Sequence, residues 1–154
     1  MKIQYMMSCP ARSAAPTETL EDAAAVMADY NVGALPVVDE GRLVGIVTDR
    51  DLAVRGFAAG LDAGAHLVRV MTAQPVTCSP DDELAEVLAV MGRRRIRRMP
   101  VCTADGDLVG VVSLADAARQ PEYRGEAAET LSEICRPETR HGKGERAVLL
   151  AQPS

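Results

Sequence analysis

The chain has no Trp, one Phe and three Tyr among its 154 residues. Its core must therefore be assembled from Ala, Val, Leu, Ile and Met, which suits thin sheets covered by close-set helices. Only two histidines occur, His66 in the middle of the chain and His141 near its end. The four cysteines, Cys9, Cys78, Cys102 and Cys135, are scattered, with no CxxC pair and no neighbouring His, which weighs against a zinc site. In a reducing compartment they read as buried or half-buried free thiols. No nucleophile elbow, Walker loop or metal-ligand cluster occurs, so neither an enzyme nor a resident cofactor or metal is expected. No run approaches the ~18 consecutive apolar residues of a transmembrane helix. The opening MKIQYMMSCPARSAAP holds one Lys and no sustained apolar stretch. Neither a membrane span nor a secretory signal is expected, and the cytoplasm is the default location. A formal net charge of −5 argues against general nucleic-acid or membrane-surface binding.

What is present is ordinary in bulk, with 47% apolar and 25% charged residues, and highly organised in detail. Shifting the sequence by 64 residues brings VMADYNVGALPVV onto VMGRRRIRRMPVC. Met7 falls on Met71, Pro16 on Pro80, Leu20 on Leu84, Met27 on Met91 and Pro36 on Pro100. One extra residue near Asp105-Gly106 moves the offset to 65, and LVGIVTDRDLAVR then matches LVGVVSLADAARQ. Each copy opens with a short extended lead-in (12–14, 76–78) and a Pro expected at the first helical position. Ser79 is the expected N-cap of the second copy's helix, with Asp81, Asp82 and Glu83 in its first turn. Leu20, Ala23, Ala24 and Met27, and Leu84, Val87, Leu88 and Met91, recur at i, i+3, i+4, i+7 as one apolar face per copy.

Two short strands follow in each copy, ALPVVD with RLVGIVT and RMPVCT with LVGVVS. They are joined through Glu40-Gly41 and Asp105-Gly106. A second helix begins after Thr48 or Ser113 and stops near Gly60 or Pro121. The expected fold is α/β (α+β): two β-α-β-β-α repeats, residues 5–64 and 65–121, packed with pseudo-two-fold symmetry. GEAAETLSEIC should add a short amphipathic helix through Ala128, Leu131, Ile134 and Cys135. The rest of 122–154 is expected to be a mobile tail.

The duplicated unit, its apolar-Pro-Val strand (LPVV, MPVC) and above all the motif Gly-h-h-[Ser/Thr]-x-x-Asp (GIVTDRD, GVVSLAD) resemble a tandem pair of cystathionine-β-synthase-type (CBS) domains. The resemblance spans about residues 5 to 120, and GALPVVDEGRLVGIVTDRDLAVRGFAAG is similar to small stand-alone bacterial CBS proteins, including stress- and hypoxia-response ones. It implies a regulatory ligand-sensing module with up to two adenosine-ligand sites between the copies. One would use Thr48, Arg50 and Asp51, with Ile46 near the base. The other would use Ser113 and Asp116, with Val111 near the base. The ligands implied are AMP, ADP, ATP or S-adenosylmethionine, and the assembly implied is a homodimer that passes ligand state to an unknown protein target.

Two features of the residues bear on that expectation. Thr48-x-x-Asp51 and Ser113-x-x-Asp116 also fit capping boxes, which need no ligand. The run GRRRIRRMP sets Arg97 and Arg98 where the first copy has Gly33 and Ala34. These arginines either reach phosphate on the Asp116 side or decorate a solvated helix end. The motif positions just before each Asp are Arg50 and Ala115, and only Arg50 could serve phosphate. One short cluster of arginines without aromatic partners does not make a nucleic-acid interface. The alternative function is a ligand-free structural or stress-response interaction protein modulated through its thiols.

Overall fold

A computed structural model describes residues 1–137. The tail expected beyond residue 137 lies outside the described residues. The order of elements follows the duplication: α1 (Leu20–Tyr30), β1 (Ala34–Asp39), β2 (Arg42–Thr48), α2 (Asp49–Asp51), β3 (Thr72–Ala73), α3 (Leu84–Arg94), β4 (Arg98–Cys102), β5 (Leu108–Ser113), α4 (Leu114–Arg119) and α5 (Arg124–Ile134).

α1 begins behind Thr19, not at Pro16. The Thr19 hydroxyl accepts from the Asp22 N–H at 3.1 Å, and the Asp22 carboxylate accepts from the Thr19 N–H at 2.9 Å. These bonds favour the charged carboxylate and pull the Asp22 pKa below its ordinary value. Pro16 and Pro80 sit four residues earlier, in turns, so the expected Pro start is corrected. Ser79 likewise caps no helix: its N–H donates to the Asp82 carboxylate at 2.8 Å, and α3 starts after Glu83 without a side-chain cap. Asp81, Asp82 and Glu83 thus precede the first helical turn. The reason is visible in the backbone, because these turns offer carbonyls to other segments. Pro16 O accepts from Val68 and Pro80 O from Gln4, at 3.1 and 3.0 Å.

Both helices end on a left-handed residue, Asn31 (φ 50°) and Arg95 (φ 54°), which turns the chain into β1 and β4. β1 pairs antiparallel with β2 across Glu40 (φ 48°) and Gly41 (φ 80°), a hairpin turn that needs two left-handed residues. β4 pairs with β5 in the same register, Arg98 opposite Ser113 as Ala34 is opposite Thr48. The lead-ins add parallel bridges, Ala14 to Val37 and Cys78 to Val101.

The last partner of each sheet comes from the other copy. β3, which opens the second repeat, pairs with β2 of the first through Gly45–Ala73 and Ile46–Thr72. Ser8, which opens the first repeat, pairs with Val111 on β5 of the second. The cores are exchanged in the same way. Ile3 is fully buried among Leu84, Leu88, Met91, Val101 and Val112, whereas Leu67 and Val70 are fully buried among Leu20, Met27, Leu35 and Val47. Burying Ile3 and Leu67 in this way is worth about 1.5–3 kcal/mol each, so the pair coheres through these lent segments.

The copies differ where α5 lies. It packs on α3 and α4 through Ala127 and Thr130. The expected face through Ala128, Leu131 and Cys135 is corrected: all three are exposed, and Ile134 alone of that set is half-buried. α5 completes the burial of Leu88, while Ala24, the matching position of α1, is exposed because no helix covers it. The second helix of the first copy is also irregular. α2 runs into a π-turn (Leu52–Gly56) and a 3-10 turn (Phe57–Ala59) that ends at Gly60 (φ 82°). The wide turn sets buried Gly56 against Leu20, where a Cβ would approach Leu20 Cδ1 to 2.9 Å. It also leaves Val54 and Phe57 facing solvent, Phe57 at 84% exposure. Among the described residues no helix is long and apolar enough to cross a membrane.

Candidate functional site

Both Ser/Thr-x-x-Asp motifs fold as capping boxes. Thr48 Oγ1 accepts from the Asp51 N–H at 3.1 Å, and Asp51 Oδ2 accepts from the Thr48 N–H at 2.9 Å. Ser113 repeats this with Asp116 at 3.1 and 2.9 Å, and its hydroxyl also donates to Asp116 Oδ2 at 2.6 Å. Capping therefore occupies one oxygen of each carboxylate. The other oxygen meets an arginine: Asp116 Oδ1 accepts from Arg119 at 2.7 Å, and Asp51 Oδ1 lies 3.9 Å from Arg55.

A cavity of about 390 Å³ opens where the copies meet on the Asp116 side. The second copy supplies Arg98, Val111, Ser113, Asp116 and Arg119; the first supplies Ser8, Arg12 and the stretch from Tyr30 to Ala34. Ser8 and Val111 are locked together by two backbone hydrogen bonds of 2.9 and 3.1 Å, so the apolar strand wall is fixed by the lent segment. Three guanidinium groups against one carboxylate leave the lining with a formal excess of two positive charges. The wall is thus apolar at Val111, hydroxylic at Ser113, acidic at Asp116 and basic at the rim. Such a surface can hold a flat apolar ring, hydrogen-bond a diol and attract an anion.

Four of the expected residues, Arg98, Val111, Ser113 and Asp116, therefore come together. Arg97 does not join them. It lines a second cavity of about 450 Å³ between the start of α4 and α5, with Leu114, Ala118, Arg124 and Leu131, and its guanidinium lies 3.5 Å from Cys135 Sγ. Arg98 and Ser113 line both cavities, so Arg97 neighbours the cleft through them without lining it. Around the other motif, Ile46 is half-buried opposite Thr72, and Arg50 is exposed.

Sequence reasoning missed Arg12, Tyr30 and Arg119. The spacing of Arg119 three residues after Asp116 on one helix could have revealed it. Arg12 carried no signal, because its place over the Tyr30 ring, 3.1 Å from the centroid, depends on the packing of the lead-in.

The cysteines divide by environment. Cys78 and Cys102 are buried and Cys9 and Cys135 exposed, which corrects for the latter two the expectation of buried or half-buried thiols. Burial pushes the Cys78 thiol up to about 12 and raises Cys102 in the same direction. Among the described residues no group of three or more His, Cys, Asp or Glu side chains forms a metal cage.

The family model of the CBS domain matches twice, at residues 3–55 and 67–122. Hypoxic response protein 1 of Mycobacterium tuberculosis is 37% identical over 123 residues, covering 78% of this chain and 84% of its own. The CBS domain pair of protein MJ0100, solved with 5′-methylthioadenosine and S-adenosyl-L-methionine, superposes with a TM-score of 0.71 at 28% identity, over 77% of this chain and 94% of that one. The CBS domain protein PAE2072 of Pyrobaculum aerophilum, solved with AMP, gives 0.75 at 26% identity, over 84% and 99%. With its duplicated motif, exchanged strands and inter-repeat cleft, the chain belongs to the CBS domain family as a tandem pair.

Proposed function

We propose that the protein is a non-catalytic regulatory module that binds an adenosine-containing nucleotide between its repeats and reports that state to a partner protein. The carrying observation is the cavity that gathers Val111, Ser113, Asp116 and Arg98 from one copy against Arg12 and Tyr30 of the other. In this reading Val111 contacts the base, Asp116 accepts from the ribose hydroxyls, and Ser113 and Arg98 face phosphate. The complexes of MJ0100 with S-adenosyl-L-methionine and of PAE2072 with AMP support this choice of ligand class. Thr48, Asp51 and Ile46 are the matching set for a second site, with Arg50 at its edge.

A homodimer fits the same reading. Phe57 and Val54 lie bare on the first repeat, at 84% and 49% exposure. A second copy of this chain is the occupant of that face, and the setting proposed is the bacterial cytoplasm under stress, a reading that the likeness to Hypoxic response protein 1 supports as far as its name goes.

One observation favours the alternative, a ligand-free interaction protein: both Ser/Thr–Asp pairs are complete as caps without any ligand. Thermal unfolding against AMP, ADP, ATP, NAD and S-adenosylmethionine, repeated with Asp51→Ala and Asp116→Ala, separates the two. A ligand at 100 times its dissociation constant adds about 2.7 kcal/mol, a rise of several degrees in the midpoint. Loss of that rise in one Asp variant supports the sensor and identifies its site. No rise with any ligand, and lower midpoints for both variants, leaves the motifs as helix caps.

A further inference from the structure

The basic groups of the Asp116-side cleft are unequal. Arg119 is tied to Asp116 itself at 2.7 Å. Arg98 reaches across to the turn that follows α1: its guanidinium lies 3.1 Å from the point where Gly33 would carry a Cβ, with the Asp49 carboxylate 3.2 Å from the same point. Arg12 lies over the ring of Tyr30, the last residue of α1, with Cζ 3.1 Å from the centroid. Among the described residues Arg12 has no ion pair, so its charge meets a ring face and the cavity. Two guanidinium groups thus converge on the stretch from Tyr30 to Gly33, apart from the one that Asp116 holds.

This arrangement is not a by-product of duplication. The caps repeat faithfully, but the counterparts of Arg12, Arg98 and Arg119 in the other copy are Val76, Ala34 and Val54. A lining with an excess of two positive charges favours anions and disfavours S-adenosylmethionine, whose sulfonium, ammonium and carboxylate groups leave one net positive charge.

Resting on the adenosine reading above, we propose that the Asp116-side cleft selects adenosine nucleotides with two or more phosphates over AMP and over S-adenosylmethionine, and that Arg12, held on the Tyr30 ring, contacts the outer phosphate. Arg98 then meets the inner phosphate, and Asp116 with Val111 holds the nucleoside.

The test is isothermal titration of adenosine, AMP, ADP, ATP and S-adenosylmethionine into the full chain carrying Asp51→Ala, which removes the second site proposed at Thr48 and Asp51. One charge-assisted contact to the outer phosphate corresponds to at least about tenfold tighter binding of ADP than of AMP. S-adenosylmethionine binds more weakly than AMP. Arg12→Gln, an exposed change, brings the ADP-to-AMP ratio close to one. Tyr30→Phe keeps the ratio and Tyr30→Ala lowers it. The proposal is overturned, with the adenosine reading intact, if ADP binds no tighter than AMP, if S-adenosylmethionine matches AMP, or if Arg12→Gln preserves the ratio. Binding of no adenosine compound at all removes both readings together.

Discussion

Gly110 on β5 lies beneath Met7: a Cβ on Gly110 would come within 2.7 Å of Met7 Sδ and 3.0 Å of the Ser8 carbonyl. Gly45 stands in the same relation to Met71 and Thr72, at 2.6 and 3.0 Å. The glycine that opens each Gly-h-h-[Ser/Thr]-x-x-Asp motif is therefore where the lent strand crosses. Gly110→Ala should cost about 1–3 kcal/mol, as overpacking does. Adding Met7→Ala recovers only part of this, since the Ser8 carbonyl stays in place. Denaturant unfolding of the single and double variants measures both effects, and a Gly110→Ala protein as stable as the parent contradicts the crossing.

Ile3, near the start of the chain, is buried in the core of the second repeat. Ile3→Ala should lose about 2–5 kcal/mol. Amide exchange should then quicken first in α3 and β4, far away in sequence, and not in α1. Exchange that quickens only around α1 would place Ile3 in the wrong core.

Ser113 caps α4 and donates to Asp116 at once. Ser113→Ala should destabilise the protein by about 0.5–2 kcal/mol, a fall of a few degrees in the unfolding midpoint. An unchanged midpoint in calorimetry would mean that the cap contributes nothing.

The Cys78 thiol is raised from its ordinary 9.0 to about 12 by burial, reinforced by Asp82. The folded state thus binds the proton more tightly than the unfolded state. This contribution to stability is complete below pH 9 and is lost as the pH rises from 9 towards 12. Stability should fall across that range, and less steeply in Cys78→Ala. At pH 8 iodoacetamide should label Cys9 and Cys135 promptly and spare Cys78 and Cys102 until the protein unfolds. Mass spectrometry of the labelled native protein reads the pattern directly.

Much of the architecture was legible because duplication lets each copy check the other. Helix faces, hairpins and both caps follow from spacing that occurs twice. The errors lie where the chain departs from local logic. Pro16 and Pro80 suggested helix starts, but their carbonyls were needed by Val68 and Gln4 of distant segments. α5 has no second copy, and its buried face was misplaced by one residue because Ala127 and Ala128 are equally small. In the cleft, the motif residues were visible. Arg12 and Tyr30 were not, since no local pattern joins a lead-in to the end of a helix.

The lending of Met7 and Ser8 to one sheet, and of Met71 and Thr72 to the other, has a consequence for how the two halves depend on each other. The geometry is that of a strand-swapped dimer whose subunits have been joined by a linker. A protein cut within the exposed stretch from Asp62 to Gly64 should therefore remain whole in solution, its fragments clasped by reciprocal strands and by Ile3 and Leu67 in each other's cores. Neither fragment alone has a filled core, so the halves should fold by complementation or not at all. A single repeat, expressed with its own leading segment, has that same clasp open to it only by finding a twin.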